Sequence, residues 1–174
     1  GPGTEGIIGD ALRSVVEWVD DIVVIWTGSD AQAWTRVREA SLLPKRVRFI
    51  DLPWVENFAH MRNAALDFAG HDGWAVMLDT DERIIDGQRA REILERSPED
   101  VCAISAFDVT GQYAKERFFR LPQCGRFIGL THEYWQPAEG QRTGQTRQVR
   151  FDELPRDRES AAWRDKLDRD ARLL

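Results

Sequence analysis

Cysteine is scarce in this sequence: Cys102 and Cys124 are the only two in 174 residues. They are too few and too widely spaced for a zinc motif or a disulfide framework, so a reducing compartment, the cytoplasm, is the expected setting. Long apolar runs are missing as well. No segment approaches the roughly 20 residues that cross a bilayer, and no signal-peptide-like start is visible, which excludes a membrane-spanning reading. Positive charge is in the minority, with 24 Lys and Arg against 30 Asp and Glu and a net charge of −6. That balance argues against nucleic acid as a partner, because non-specific binding rests on clustered cations that neutralise phosphates. An anionic ligand would need local cations or a metal. Repeats and low-complexity segments are also absent. What is present, 42% apolar and 31% charged residues, is the make-up of one globular domain over residues 1–174. A chain of this length buries about two thirds of its unfolded surface in a single core.

Gly1-Pro2 reads as the scar of a cleaved expression tag and is left out of the fold. Ile8, Leu12, Val15, Val16 and Val19 then recur at helical spacing, which predicts a helix from about Glu5 to Trp18 with one apolar face. Asp21–Trp26 is a short, β-branched apolar run closed by the turn signal Thr27-Gly28-Ser29-Asp30, the pattern of a buried parallel strand. A helix over 31–40, a strand over 46–52, a helix over 57–69 and the apolar strand Trp74–Asp79 continue the series. This alternation predicts an α/β fold with a Rossmann-like sheet, mostly parallel in the N-terminal half and flanked by helices. A helix from Asp86 to about Arg96 and strands over 101–109 and 115–121 predict a mixed, partly antiparallel second half. From Asp157 on, Trp163, Leu167, Ala171 and Leu174 mark an amphipathic C-terminal helix with a narrow apolar stripe. That helix caps this domain, leads into another or makes a homodimer contact.

In parallel sheets ligands sit beyond the carboxyl ends of the strands. The rule directs attention to Trp26-Thr27-Gly28-Ser29, to the segment after Leu52, and to Asp79-Thr80-Asp81-Glu82. Residues i and i+2 of extended backbone point to one side, so Asp79 and Asp81 can reach one divalent cation or one phosphate-bearing ligand. Hard carboxylate oxygens suit Mg2+ or Mn2+. Glu82 adds a third carboxylate, on the opposite face if the extension continues. The plainer alternative is an acidic turn in which Asp81 or Asp86 caps the next helix.

Three ordered segments carry a family likeness: Val24-Ile25-Trp26-Thr27-Gly28-Ser29, Phe58-Ala59-His60-Met61-Arg62-Asn63-Ala64-Ala65-Leu66, and Gly73-Trp74-Ala75-Val76-Met77-Leu78-Asp79-Thr80-Asp81-Glu82-Arg83. Together they resemble the family 2 glycosyltransferases of the GT-A fold, and within them the soluble bacterial branch. The likeness continues through Glu116–Arg120 and Gly125–Glu133 and covers roughly residues 5–135. It implies inverting transfer of a sugar from a nucleoside diphosphate sugar to an acceptor that the sequence does not identify. It further implies that Asp79 and Asp81 hold Mn2+ or Mg2+ on the diphosphate, whose charge grows as the glycosidic bond breaks. Arg62 takes the position of a nucleotide contact. Trp26 stands where the family has an Asp against the nucleotide, and an indole stacks on a base without accepting its hydrogen bonds. Glu133, in Thr131-His132-Glu133, is the implied general base for the acceptor hydroxyl. Trp135 and Tyr134 offer apolar faces on which an acceptor sugar stacks, Trp54 likewise, and Arg120 is assigned to the acceptor side. Asn63 is expected to fix a neighbouring loop.

The same residues have plainer readings. Arg62 is then a helix residue paired with Asp67 or Glu56, Glu133 a surface carboxylate beside a His packed on Tyr134 or Trp135, and most of the seven Trp are core filling. The family also opens with a central strand before the first helix, where this sequence has Gly3-Thr4-Glu5. That strand is therefore expected to be missing, with unpaired backbone groups along its neighbours. No late His matches the additional metal ligand of many GT-A enzymes. Two other functions stay open. One is a non-catalytic module that keeps the fold. The other is an aspartate-nucleophile phosphatase, whose first motif the strand ending in Asp79-Thr80-Asp81 also resembles, with Asp79 attacking phosphorus and Asp81 as general acid. Arg83 stands where that motif has Thr or Val.

Overall fold

The computed structural model describes residues 4–28, 31–40, 46–108, 111–122, 125–154 and 161–173. Gly1, Pro2, Ser29, Asp30, Val109, Cys124 and Leu174 fall outside them, as do the side chain of Cys102 and residues 157–160. Helix α1 (Thr4–Val15) buries Ile8, Leu12 and Val15, and Val16 is buried in the turn that follows, while Val19, the last residue of the expected stripe, is half-buried. The helix thus ends short of Trp18. Strand β1 (Asp21–Trp26), helix α2 (Ala31–Ala40) and strand β2 (Arg46–Asp51) follow, and the two strands pair in parallel from Asp21 opposite Arg46 to Trp26 opposite Asp51.

The expected extension of this parallel pair into one large sheet does not occur. Helix α3 (Phe58–Ala69) leads to strand β3 (Trp74–Val76), which is followed by β4 (Glu82–Ile85), helix α4 (Gly87–Arg96), β5 (Val101–Asp108), β6 (Gly111–Arg120), β7 (Gly125–Ile128), β8 (Tyr134–Pro137), β9 (Thr143–Glu153) and helix α5 (Ala161–Leu173). β3 pairs antiparallel with β6, Val76 opposite Phe118, at the edge of a five-stranded sheet in the order β3-β6-β5-β9-β4. Within that sheet only β5 and β9 run parallel. β7 and β8 form a separate antiparallel pair. The fold is mixed α/β with small, mostly antiparallel sheets. The β5–β6 hairpin brings a ten-residue strand alongside β3, and antiparallel ladders are slightly the more stable per residue. No described strand bridges β1 and β3, where the family likeness puts a further central strand.

Both faces of the five-stranded sheet are covered. On one, α1 and α4 pack Ile8, Leu12, Val15 and Leu94 against Ile84, Phe118 and Phe151. On the other, α3 and the β7–β8 pair pack Ala59, Leu66, Phe127 and Trp135 against Met77 and Phe119. Hence the unbroken apolar run before Asp79: Val76 and Leu78 pack in the first core and Met77 in the second, as in strands buried on both faces.

The C-terminal helix packs on a different stripe from the expected one. Leu167 is 48% exposed, whereas Asp170 is buried and accepts hydrogen bonds from Arg169 and Lys166. Burial raises the Asp170 carboxyl pKa, but the bonds from Lys166 and Arg169 outweigh it and hold the group below its ordinary range. The Arg169 guanidinium lies 5.0 Å over the Phe58 ring and 5.7 Å over Trp54. The ion pairs are internal to the helix, and the contacts that reach beyond it here are those of Arg169 over Phe58 and Trp54.

Candidate functional site

Asp79 follows the last apolar residues of the β3 segment and meets groups from three other elements. Asn57 starts α3 by accepting the amide of His60 at 2.8 Å. One turn later Arg62 lies on the helix face that carries buried Ala59 and Leu66, so it is directed at the sheet. Its Nη2 donates to Asp79 Oδ2 at 2.8 Å and its Nε to Glu133 Oε1 at 2.6 Å. Neither Asp67 nor Glu56 is its partner; Asp67 pairs with Arg126.

Glu133 is delivered by an unusual turn. Gly129 has φ of 110° and His132 has φ of 52°, left-handed values that a side chain such as His132 adopts only under tertiary constraint. A Cβ on Gly129 would sit 3.3 Å from the Thr131 carbonyl oxygen. The turn is tied to the start of α3, where the Phe58 amide donates to the Leu130 carbonyl at 2.9 Å. Asn63 completes the join through two bonds with the Phe127 backbone, 3.0 Å as donor and 2.8 Å as acceptor.

Glu82 joins the same cluster. The backbone does not stay extended past Asp79; it turns so that the Glu82 amide donates to the Asp79 carbonyl at 3.0 Å. Glu82 is thereby carried inward, 0% exposed, rather than to the opposite face. Its Oε2 accepts the Asp79 amide at 3.0 Å, and its Oε1 accepts from Arg117 and from Lys115 Nζ at 3.3 Å. Lys115 also donates to Glu153 at 2.5 Å. Arg117, 3% exposed, donates to Asp79 Oδ2 at 3.3 Å and lies 5.1 Å over the Phe151 ring. Its Nε is buried with no hydrogen-bond partner. In this cluster four carboxylates, Asp79, Glu82, Glu133 and Glu153, face three cations, Arg62, Lys115 and Arg117.

These charges fix the protonation states. Burial pushes the Asp79 carboxyl up, but Arg62, then Arg117 and Lys115, outweigh it and bring its pKa down to about 2. Burial lowers the Arg62 pKa, and Asp79 and Glu133 more than reverse that, so the guanidinium is raised above its ordinary value. Asp79 is an anion and Arg62 a cation throughout the physiological range.

Asp79 keeps 33% of its side chain exposed. Asp81 is half-buried, and its backbone carbonyl accepts the Leu154 amide at 2.8 Å. Asp81 lies outside α4, whereas Asp86 occupies its N-cap position, in left-handed φ and ψ and without a side-chain capping bond. Among the described residues no three His, Cys, Asp or Glu side chains form a metal cage. The turn after Asp79 ends the extended backbone that would set Asp79 and Asp81 on one side; each carboxylate remains a hard oxygen donor of the kind Mg2+ takes alongside phosphate oxygens and water.

Other residues singled out in the sequence are not brought here. Arg120 sits opposite Trp74 at the far end of β3, stacks 4.6 Å over that indole, and donates to the carbonyls of Ser97 and Glu99 at 2.8 and 3.1 Å. Trp135 is 6% exposed, packs 4.7 Å from Phe119 and 5.2 Å from Phe127, and spends its indole N–H on Gln141 at 3.0 Å. Its ring faces are used up by the core, so an acceptor sugar cannot stack on it. Tyr134 is exposed, and Trp54 meets Phe58 edge to face at 4.8 Å. Trp26 ends β1 and packs on the first core. Arg117, Lys115 and Glu153 were not foreseen as part of the site. The available signal was Lys115 and Arg117 alternating on the strand that carries Phe119, since cations at core-facing positions need buried partners.

A family model described as Glycosyl transferase family 2 matches residues 4–156. No curated protein matches the chain.

Proposed function

Because the chain belongs to glycosyl transferase family 2, we propose that it transfers a sugar, with inversion, from a nucleoside diphosphate sugar to an acceptor hydroxyl, and that the Asp79, Arg62 and Glu133 cluster is the reaction site. The observation that carries this reading is the single guanidinium joining Asp79 and Glu133 at 2.8 and 2.6 Å. It sets a donor-side carboxylate and a candidate base on neighbouring nitrogens of one cation.

In this reading Arg62 contacts the diphosphate of the donor, and Trp26, packed on the first core, is left out of the base contact. Asp79 and Asp81 hold Mn2+ or Mg2+, which when bound supplies positive charge to the departing diphosphate. Glu133 takes the proton of the acceptor hydroxyl as that oxygen attacks the anomeric carbon, and the bond to the diphosphate oxygen breaks on the opposite side. Arg62, Arg117 and Lys115 keep Asp79 ionised, and Glu82 holds its backbone amide in place. Four carboxylates against three cations repel an anionic donor, which supports the need for an added cation. The family assignment displaces the phosphatase reading of Asp79. It leaves a non-catalytic module as the rival, since a family fold does not by itself carry the activity.

Thermal unfolding with UDP, GDP, CDP and dTDP, each with and without Mn2+, decides between them, because a ligand selective for the folded state raises its melting temperature. The proposal expects a shift that needs both Mn2+ and one of the nucleotides and that is lost in Asp81→Ala. No shift with any pair favours the non-catalytic module.

A further inference from the structure

Arg62 has one positive charge and already faces two carboxylates. Its Nη2 is on Asp79 and its Nε on Glu133, and the side chain is only 14% exposed. Asp79 has a second cation, Arg117, to hold it at 3.3 Å. Among the described residues Glu133 makes no other ion pair. The two arms of the guanidinium are therefore unequal: releasing Asp79 leaves a carboxylate still paired, whereas releasing Glu133 leaves it with solvent or an incoming proton donor. A diphosphate arriving at Asp79 competes for a cation whose charge is already shared.

We propose that Arg62 couples the two halves of the site: a bound diphosphate draws the guanidinium from Glu133, so that donor binding frees the base. This rests on the donor-site reading given above. Coupling of this kind is reciprocal. If the diphosphate weakens the Arg62–Glu133 bond, that bond weakens diphosphate binding by the same factor. Glu133 therefore restrains donor binding although it touches no part of the donor. Its lone pairs become available for the acceptor proton once the diphosphate is in place.

The test is a cycle of affinities measured by titration calorimetry with UDP, GDP, CDP and dTDP in the presence of Mg2+, for the unsubstituted chain, Glu133→Gln, Arg62→Gln and the double variant. Melting curves check that each variant is folded; Arg62→Met replaces Arg62→Gln, and Glu133→Ala replaces Glu133→Gln, where either is not. With Arg62 present, Glu133→Gln is expected to tighten the preferred diphosphate about tenfold, a common size for such coupling. With Arg62 replaced, the same substitution is expected to change affinity less than about twofold, because the coupling element is gone. Equal tightening in both backgrounds would mean simple relief of negative charge and would overturn the inference. Unchanged or weaker binding in Glu133→Gln would overturn it too, while leaving the donor reading intact. Failure of every diphosphate to bind the unsubstituted chain overturns both.

Discussion

The charged cluster around Asp79 and the aromatic cluster of Phe119, Phe127 and Trp135 lie side by side, with the Arg62 guanidinium at their seam 5.6 Å over the Phe127 ring. In the aromatic cluster each ring has its neighbours fixed by shape: Trp135 touches Phe119 and Phe127, and those two meet each other at 5.5 Å. In the charged cluster partners are shared. Asp79 has two arginines, Glu82 has an arginine and a lysine, and Arg62 has two carboxylates. Packing of the first kind gives one arrangement; sharing of the second kind leaves Asp79 and Glu82 each with a cation when one of their two is drawn away, and leaves Glu133, which among the described residues pairs with Arg62 alone, unpaired. The rigid cluster is what holds the exchangeable one in register, through Asn63 and Phe127.

Breaking the aromatic side costs the most. Trp135→Ala empties a packed position and is expected to destabilise the fold by about 4 kcal/mol, as measured by urea unfolding. On the charged side, Glu82→Ala leaves Arg117 buried with one of its two carboxylate partners gone. We expect a loss of about 3 kcal/mol in the same measurement, together with weaker diphosphate binding because Asp79 is no longer held in place. The seam between the clusters is tested by Asn63→Ala, which leaves the Phe127 amide unpaired. Its expected cost is about 2 kcal/mol. The smallest effect concerns pH. The Asp79 carboxyl titrates near 2 in the folded chain against 3.8 ordinarily, so its contribution is fully present above pH 4 and is lost as pH falls from 4 through 2. Asp79→Asn is expected to flatten the acid limb of the stability profile in that window, as followed by equilibrium unfolding at stepped pH. An unchanged acid limb would show that Arg62 and Arg117 do not hold this group.

The contrast also explains what was legible in the sequence. Apolar spacing marks α1, because burial on one face leaves a periodic trace, and a continuous β-branched run closed by a turn signal marks β1. The run before Asp79 was legible as a doubly buried strand, but its neighbour was not. Whether β3 pairs with β1 or β6 is decided by ladders formed far along the chain. Strands β4, β7 and β8 leave little trace because each is four residues long, and β9 because most of its positions are exposed or half-buried and polar. In the site, Asp79 is legible from its place at the end of an apolar strand and Arg62 and Glu133 from a family likeness, whereas their mutual bonds come only with the fold. Glu82 was sent to the wrong face because a turn replaces extension after Asp79. Arg120 and Trp135 looked functional for their chemistry, yet backbone carbonyls and neighbouring rings already occupy them. Residue type shows what a side chain can bind. Its existing partners show what it is free to bind.

The most direct test of the central claim is a crystal structure of the chain with a nucleoside diphosphate and Mn2+, located by its anomalous signal. The account predicts the Mn2+ peak on the carboxylates of Asp79 and Asp81, with the diphosphate against the Arg62 guanidinium. A diphosphate bound away from this cluster, with Asp79 still held by Arg62 and Arg117 as in the free chain, would contradict it.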